Sequence, residues 1–420
     1  MRSLKALALY VSLSAVSNAA DWSVIHNQGV AAVKRRDFTA AAALLRESGP
    51  LAQTPGQRGL TANDLGVVLH ELHQEAGARQ QLENAIRIWR SNPGQEARLA
   101  QTTEALASVC RTQGDYPAAE QALRESLKTP AAESDTQALV LNELGDVLRE
   151  VGRPAEAYQL LEKSLGLPGI SPRRRLDATL GLADLDRSTA LWESAFTRWS
   201  RANAMARELN SALLEAASLR GWGITFLEHG EPSRAEPLLR RALALFESAN
   251  APLHQIASTL SCLAQLYITE NKLAMAEDAL LRGVDLLEKT LGPQHPQVAV
   301  LLEMLGDTVA QRNQFAQARD YYARARVIMA GRFGELSPIA AAVDASWALV
   351  EQRSKHNAEA AADYEKALAI LDAAGPEAEA VRAVAHQHYA ELCKTLHRKN
   401  VPAPQSFRTA SAVTRVAQSQ

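Results

Sequence analysis

Aromatic residues are scarce in this chain: tryptophan, tyrosine and phenylalanine make up 5% of its 420 residues. Alanine and leucine dominate the 47% of residues that are hydrophobic. Small and unbranched side chains of this kind suit closely packed helices and disfavour a sheet of β-branched residues. The composition therefore predicts an all-α chain.

Long blocks of one charge are also missing. The 45 basic and 47 acidic side chains leave a formal net charge of −2, and arginine and glutamate are interspersed throughout the chain. Non-specific binding to nucleic acid depends on clustered lysine and arginine that displace counterions. We therefore expect no nucleic-acid partner.

Only one long apolar stretch stands out, over residues 6–16. Arg2 and Lys5 precede it, and small residues follow it up to Asp21. A basic start, a short apolar run and a cleavage point after Ala19 are typical of a secretory signal peptide, whereas a membrane-spanning helix needs roughly 20 apolar residues. We predict a signal peptide over residues 1–19 and an exported, periplasmic or secreted, bacterial product without a membrane segment after cleavage. The alternative is an uncleaved amphipathic first helix, but the stretch lacks a charged face.

A small residue followed twelve positions later by alanine recurs nine times. We call the small residue the anchor of its unit. The nine pairs are Gly29/Ala41, Gly66/Ala78, Ala107/Ala119, Gly145/Ala157, Ala183/Ala195, Gly223/Ala235, Ala264/Ala276, Gly306/Ala318 and Ala348/Ala360. A unit of this length cannot bury its own apolar face, so neighbouring units must stack into a continuous core.

Other residue types repeat in step with the anchor. A large apolar side chain stands sixteen residues after every anchor, and glycine, alanine or serine stands nineteen residues after it. Small residues let two antiparallel helices approach, and large residues fill the space between them. Seven residues after the anchor, five units carry a residue that tolerates the left-handed conformation at a helix end. These are Gly114, Gly152, Gly230, Asn271 and Asn313.

This pattern resembles the tetratricopeptide repeat, whose two helices carry small and large residues at the same offsets. The anchors are 37 to 42 residues apart, more than the usual ~34, so helices or connecting loops should be longer. Residues 291–299 recur in degenerate form at 333–340, which resembles the kinesin-light-chain-like subclass. The resemblance implies a right-handed superhelical solenoid of about nine helix-turn-helix repeats over residues 20–375.

The C-terminal part of the chain departs from the repeat. Residues 376–398 have helical apolar spacing but no complete partner, and we predict a capping helix that covers the last repeat. Residues 399–420 are rich in proline, serine, threonine, alanine and glutamine, as in a flexible tail. Cys110, Cys262 and Cys393 fall in widely separated units, beyond the ~7 Å between Cα atoms that a disulfide requires, so we expect free thiols.

The resemblance also implies where a partner would bind. In this family the first helix of each pair lines the concave surface, and residues three before, one after and four after the anchor face away from the second helix. We call the face at these three offsets the groove face. The predicted partner-binding residues on it are Glu104, Arg111, Asn142, Asp146, Arg149, Asp184, Arg187 and Arg220.

The most ordered feature of the groove face is a row of arginines. Arg111, Arg149 and Arg187 share one offset in successive repeats. Guanidinium groups in a row can bind carboxylates, and Asn142 offers an amide to a partner's backbone. Another interpretation is that the aspartates three residues before two of these arginines form ordinary surface ion pairs with them, each contributing ~0.2–0.5 kcal/mol. The sequence leaves both interpretations open.

A short apolar patch adjoins the row. Ile224, Leu227 and Ile268 occupy groove-face offsets in the next repeats. A polar end beside an apolar middle suits an extended peptide or a partner helix.

Motifs for catalysis or cofactor binding are not found in the sequence. It has no glycine-rich phosphate loop, nucleophile elbow or paired-carboxylate arrangement. His70 and His73 lack the acidic residue of a metalloprotease helix, and His386, Cys393 and His397 lack the usual zinc spacing. We therefore predict a non-catalytic protein without cofactor or metal.

Together these features predict an exported scaffold that binds a protein or peptide on its concave face. The alternative is a self-associating structural component of the cell envelope, whose convex or terminal surface makes the contacts. A third interpretation is an accessory domain of an envelope enzyme that acts only with its partner.

Overall fold

The computed structural model describes residues 22–128, 133–375 and 378–396. Within these ranges it contains nineteen α-helices, one short 3-10 helix at Gly49–Leu51 and no β-strand. The all-α prediction is confirmed. The predicted signal peptide and the predicted tail lie outside the described residues.

The helices follow one another with short connections. They are α1 (22–34), α2 (Phe38–Ser48), α3 (Pro55–Glu71), α4 (Glu75–Arg90), α5 (Glu96–Thr112), α6 (Tyr116–Lys128), α7 (Ser134–Glu150), α8 (Pro154–Leu165), α9 (Pro172–Ser188), α10 (Trp192–Glu208), α11 (Ala212–Glu228), α12 (Pro232–Ser248), α13 (Leu253–Thr269), α14 (Leu273–Leu291), α15 (Pro296–Gln311), α16 (Phe315–Phe333), α17 (Pro338–Arg353), α18 (Asn357–Ala373) and α19 (Glu379–Thr395).

The chain divides into two compact units, one ending at Leu191 and the other beginning at Trp192. In the first unit each helix from α2 to α9 packs on the next, and α3, α5, α7 and α9 also pack on one another in turn. In the second unit α10 to α19 pack in the same order, and α15, α17 and α19 contact one another in turn. Each unit is therefore a stack of helix pairs, as the repeat pattern predicts, and α19 covers the last pair.

The anchors and their alanines are packing positions. All nine anchors lie in the odd-numbered helices α1 to α17, and the alanines twelve residues later are fully buried in the even-numbered helices. Where the anchor is glycine, the large side chain sixteen residues on occupies the space of the missing Cβ. A Cβ at Gly306 would lie 2.6 Å from the Tyr322 ring, and one at Gly223 would lie 2.7 Å from Leu239.

The turn inside each pair is more uniform than the sequence suggests. The five glycines and asparagines predicted to be left-handed have positive φ, but the equivalent residues of the other four repeats do too, with φ between 56° and 69°. These four are Arg36, His73, Ala190 and Lys355. A left-handed conformation costs a non-glycine residue roughly 1–2 kcal/mol. Packing of the two helices therefore imposes the turn whatever residue occupies it.

The long repeat period comes partly from long second helices. Both α14 and α16 have 19 residues, and each ends at a glycine with positive φ, Gly292 at 88° and Gly334 at 99°. These two glycines belong to the degenerate motif seen in the sequence, which thus marks a helix end.

Two further expectations concern the cysteines and membrane-spanning helices. Cys110, Cys262 and Cys393 are free thiols, and the first and last are buried. No helix within the described ranges has both the length and the hydrophobicity needed to cross a bilayer.

Candidate functional site

The predicted groove-face residues all lie on first helices of helix pairs. The structure places Glu104 and Arg111 on α5, Asn142, Asp146 and Arg149 on α7, Asp184 and Arg187 on α9, and Arg220 on α11 of the second unit. Asn142 is buried and the other seven are half-buried. Because α7 packs on both α5 and α9, seven of the eight residues lie on three adjacent helices of the first unit.

The three arginines of the row take part in a chain of ion pairs that crosses three repeats. Arg111 donates from Nε to Oε2 of Glu150 (3.0 Å) and from Nη2 to the other oxygen. Glu150 also lies 3.9 Å from Nη2 of Arg149, whose Nη1 is 2.7 Å from Oδ2 of Asp184. Arg187 donates to Oδ1 of Asp184 from Nε (2.9 Å) and Nη2 (2.7 Å). We call these five residues the ion-pair ladder.

The ladder joins neighbouring repeats as well as residues within one helix. The i,i+3 pairs considered from the sequence are present, at 2.7 Å for Arg187 with Asp184 and 3.7 Å for Arg149 with Asp146. The contacts from Arg111 to Glu150 and from Arg149 to Asp184 instead link α5 to α7 and α7 to α9. An anionic partner would have to displace these carboxylates in order to bind the arginines.

Two acidic residues of this network were not predicted. Glu150 lies five residues after its anchor, and Glu143 lies two residues before it, with Oε2 3.6 Å from Nη1 of Arg111. The three offsets used to define the groove face exclude both positions. Long side chains reach around a helix, so a wider set of offsets would have found them.

Asn142 is held by the chain itself. It is 4% exposed, and its Nδ2 donates to the backbone oxygen of Arg174 on α9 (3.0 Å). Its Oδ1 has no hydrogen-bond partner among the described residues. The donor of this amide is thus used by the backbone of the next repeat of the same chain, and its oxygen remains an acceptor without a partner among the described residues.

The acidic residues on the groove face, and Glu143 beside it, are poorly solvated. Burial raises the pKa of Glu104, and it raises the pKa of Asp146 although Arg149 opposes the rise. Burial raises the pKa of Glu143 to about 8, with a further contribution from the charges of Asp146, Glu104 and Asp177. A nearby positive charge stabilises the ionised form of a carboxyl group in such an environment.

The groove face of the second unit also carries acidic residues. Glu303 and Asp307 lie one turn apart on α15, and burial together with the charge of Asp307 raises the pKa of Glu303 to about 8. Asp307 accepts a hydrogen bond from the hydroxyl of Tyr322 (2.6 Å). Arg220 donates from Nη1 to Oε1 of Gln255 on α13 (2.8 Å), so it too links two repeats.

The predicted apolar patch also lies in the second unit. Ile224, Leu227 and Ile268 are half-buried there, and Leu227 and Ile268 pack against the core.

A family model described as tetratricopeptide repeat matches residues 57–132 and 255–329. These two segments are tetratricopeptide repeats. The matched segments begin in α3 and α13, so each unit contains repeats that the family model matches.

Several solved structures also match the chain. The apo form of RapI is 13% identical over 64% of this chain and 98% of its own, with a TM-score of 0.52. A tetratricopeptide repeat protein from Parabacteroides merdae is 14% identical over 69% and 99% (TM-score 0.49). BtubC (BKLC) from P. vanneervenii is 19% identical over 63% and 92% (TM-score 0.38). No curated protein sequence matches the chain.

A hydrogen-bonded chain of histidine, serine and glutamate links the second and third tetratricopeptide repeats. His70 lies four residues after its anchor, at the offset of the arginine row. Its Nδ1 is 2.8 Å from Oε2 of Glu75, and its Nε2 is 3.3 Å from Oγ of Ser108 on α5. Ser108 lies within a helix, where backbone N–H groups already bond the preceding turn, so they cannot stabilise an oxyanion. We interpret this chain as a contact between repeats.

The histidines of the last helix show no metal site. Nε2 of His386 is 2.9 Å from Oδ1 of Asp372, and His397 lies outside the described residues. Among the residues that the structure describes, no group of three or more histidine, cysteine, aspartate and glutamate side chains could hold a metal ion.

Replacing Glu303 with glutamine should stabilise the repeats at high pH. Its raised pKa means that the folded chain keeps a proton that the unfolded chain releases, so the free energy of unfolding falls as pH rises from about 4.5 to about 8. Glu303→Gln removes this loss. We expect a gain on the order of 2 kcal/mol over the parent chain at pH 9 and almost none at pH 4, after allowance for partial solvent contact. Urea denaturation followed by circular dichroism at both pH values measures it.

Glu231→Gln is the control for the sign of this effect. Hydrogen bonds from Arg234 and His229 lower the pKa of Glu231, so its replacement should bring no gain at pH 9. If the free energy of unfolding depended on pH equally in Glu303→Gln and in the parent chain, the raised pKa assigned to Glu303 would be contradicted.

Proposed function

We propose that the chain is an exported, non-catalytic tetratricopeptide-repeat scaffold that binds a protein or peptide on the groove face. The observation that most supports this proposal is the line of half-buried polar and charged groups along α5, α7 and α9. Packing of the helix pairs uses the anchors and the positions twelve and sixteen residues on, so it does not require these groups. These groups lie on first helices that pack against one another in the first unit.

Export is proposed from the sequence of residues 1–19. The basic start, apolar run and small residues before position 20 fit a cleaved signal peptide. N-terminal sequencing of the protein recovered from a bacterial periplasm should begin at residue 20. An N-terminus at Met1 would contradict this part of the proposal.

Peptide selection tests the binding face. Random peptides displayed on phage are selected on the full-length chain, and the affinity of the selected peptides is measured by fluorescence anisotropy. The double variant Arg149→Met/Arg187→Met, which removes two members of the ion-pair ladder, should weaken binding by about tenfold or more, equivalent to about 1.4 kcal/mol.

A matched control separates binding from general loss of ion pairs. Arg124 and Arg153 form a similar network between repeats, with Glu120 and Glu156, on the side of the second helices. Arg124→Met/Arg153→Met should therefore leave affinity almost unchanged. If both double variants weaken binding equally, the groove face is not the binding surface. A particle mass above that of one chain in light scattering would favour the self-associating alternative.

A further inference from the structure

Two carboxylates of the first unit, Glu104 on the groove face and Glu143 beside it, have no close ion-pair partner of their own. Arg111 is already bound to Glu150 through two nitrogens, so its 3.6 Å contact with Glu143 is secondary. Glu104 has no ion-pair partner among the described residues, although Arg174 on α9 acts on its charge from a distance. Arg174 itself is 3.3 Å from a carboxylate oxygen of Asp177.

Glu104 and Glu143 lie close enough for their charges to interact. They occupy the packed helices α5 and α7, and the charge of Glu104 helps to raise the pKa of Glu143. Neither side chain is fully buried. The two carboxyl groups therefore form a negative position that part of the surface still reaches.

An independent observation at the same place concerns Asn142. This side chain is 96% buried, directly precedes Glu143 in α7, and donates to the backbone of Arg174, the residue whose charge acts on Glu104. Its Oδ1 accepts nothing from the described residues. Glu104 and the Asn142 oxygen therefore have no bonded donor among the described residues, and Glu143 has only the 3.6 Å contact with Arg111.

The second unit repeats this feature at the same offset. Glu303, like Glu104, stands three residues before its anchor, and no described residue forms an ion pair with it. Asp307 lies one turn further along α15. A ligand that satisfies either position must supply both positive charge and hydrogen-bond donors.

We propose that the peptide segment bound on the groove face places a lysine or arginine side chain at Glu104, Glu143 and Asn142. An ammonium group has three donors and a guanidinium group has five, and each forms charge-assisted hydrogen bonds with carboxylates. Attraction of the cation thus comes from the carboxylates. The arginines of the ladder act on binding by holding α5, α7 and α9 in the arrangement that forms the face. This inference rests on the proposed function, because it concerns the partner of the same face.

The selected peptides test the inference through their composition and their neutral analogues. Lysine or arginine should be enriched at one position of the selected peptides. Replacing that residue with its neutral analogue, norleucine for lysine or citrulline for arginine, should weaken binding about tenfold. Glu104→Gln and Glu143→Gln should each weaken binding of the unmodified peptide by about fivefold.

Glu125→Gln is the control variant. Glu125 lies on α6, the partner helix of α5, and pairs with Lys128 on the surface; its replacement makes the same charge change away from the groove face. Affinity should also rise between pH 6 and pH 8.5, because a proton on Glu143 competes with the cation, and Glu143→Gln should reduce this rise. A merely structural role for Glu143 would not give that pH dependence.

The outcomes separate this inference from the proposed function. Selected peptides enriched in acidic residues, or peptides that bind equally well with the neutral analogue, would overturn the inference and leave groove-face binding intact. Equal effects of Glu104→Gln and Glu125→Gln would also overturn it. A selection that yields no binding peptide would contradict the proposed function, and the inference with it.

Discussion

Tyr322→Ala should lower the free energy of unfolding by about 3–5 kcal/mol, as is usual when a large aromatic side chain is deleted from a core. Tyr322 is fully buried, and its ring fills the space beside Gly306. Its hydroxyl also donates to Asp307. Denaturation in urea followed by circular dichroism measures the loss. Tyr322→Phe, which keeps the ring and removes the hydrogen bond, should cost about 1 kcal/mol.

Val327→Ala is the matched control for this prediction. Val327 lies on the same helix, α16, but is 64% exposed, so its truncation should change stability by no more than about 0.5 kcal/mol. If Tyr322→Ala lowered the free energy of unfolding no more than Val327→Ala, the described packing of α15 on α16 would be contradicted.

Gly221→Ala should destabilise the second unit by about 1–3 kcal/mol through overpacking. A Cβ at Gly221 would lie 2.2 Å from the ring of Trp199, which leaves no room for it without movement of the indole. The gain in helix propensity of up to about 1 kcal/mol offsets only part of this cost. Thermal and urea denaturation of the variant and the parent chain test the prediction.

Two further variants make the overpacking argument specific. Gly331 in α16 has nothing within 4 Å of the position a Cβ would take, so Gly331→Ala should be neutral or stabilising by about 0.5–1 kcal/mol. Adding Trp199→Phe to Gly221→Ala should relieve the clash, and the double variant should be more stable than the sum of its single variants implies. Strict additivity would show that the indole is not the obstacle.

The sequence predicts the helix pairs well because packing restricts residue types. Ala78 and Ala119 had to be small for the two helices to approach, and that requirement is visible as a repeated spacing. The turns were less predictable. Arg36 and Lys355 give no sign of a left-handed conformation, because the helices on either side of the turn impose it.

The ion-pair ladder was predictable only in part. Arg111 and Arg149 were found because they repeat at one offset. Their partners Glu150 and Asp184 lie 39 and 35 residues further along the chain, and only the distance between stacked helices makes these pairs. The roles of the groove-face residues in binding a partner stay predictions.

The carboxylates of the ladder are shared between repeats. Glu150 serves Arg111 and Arg149, and Asp184 serves Arg149 and Arg187. Any group that draws Arg149 away therefore leaves both carboxylates to the arginines on either side and strengthens those remaining pairs. The ion pairs of neighbouring repeats are thus energetically coupled, and a change at one repeat alters the strength of the pairs at the next without any change of fold.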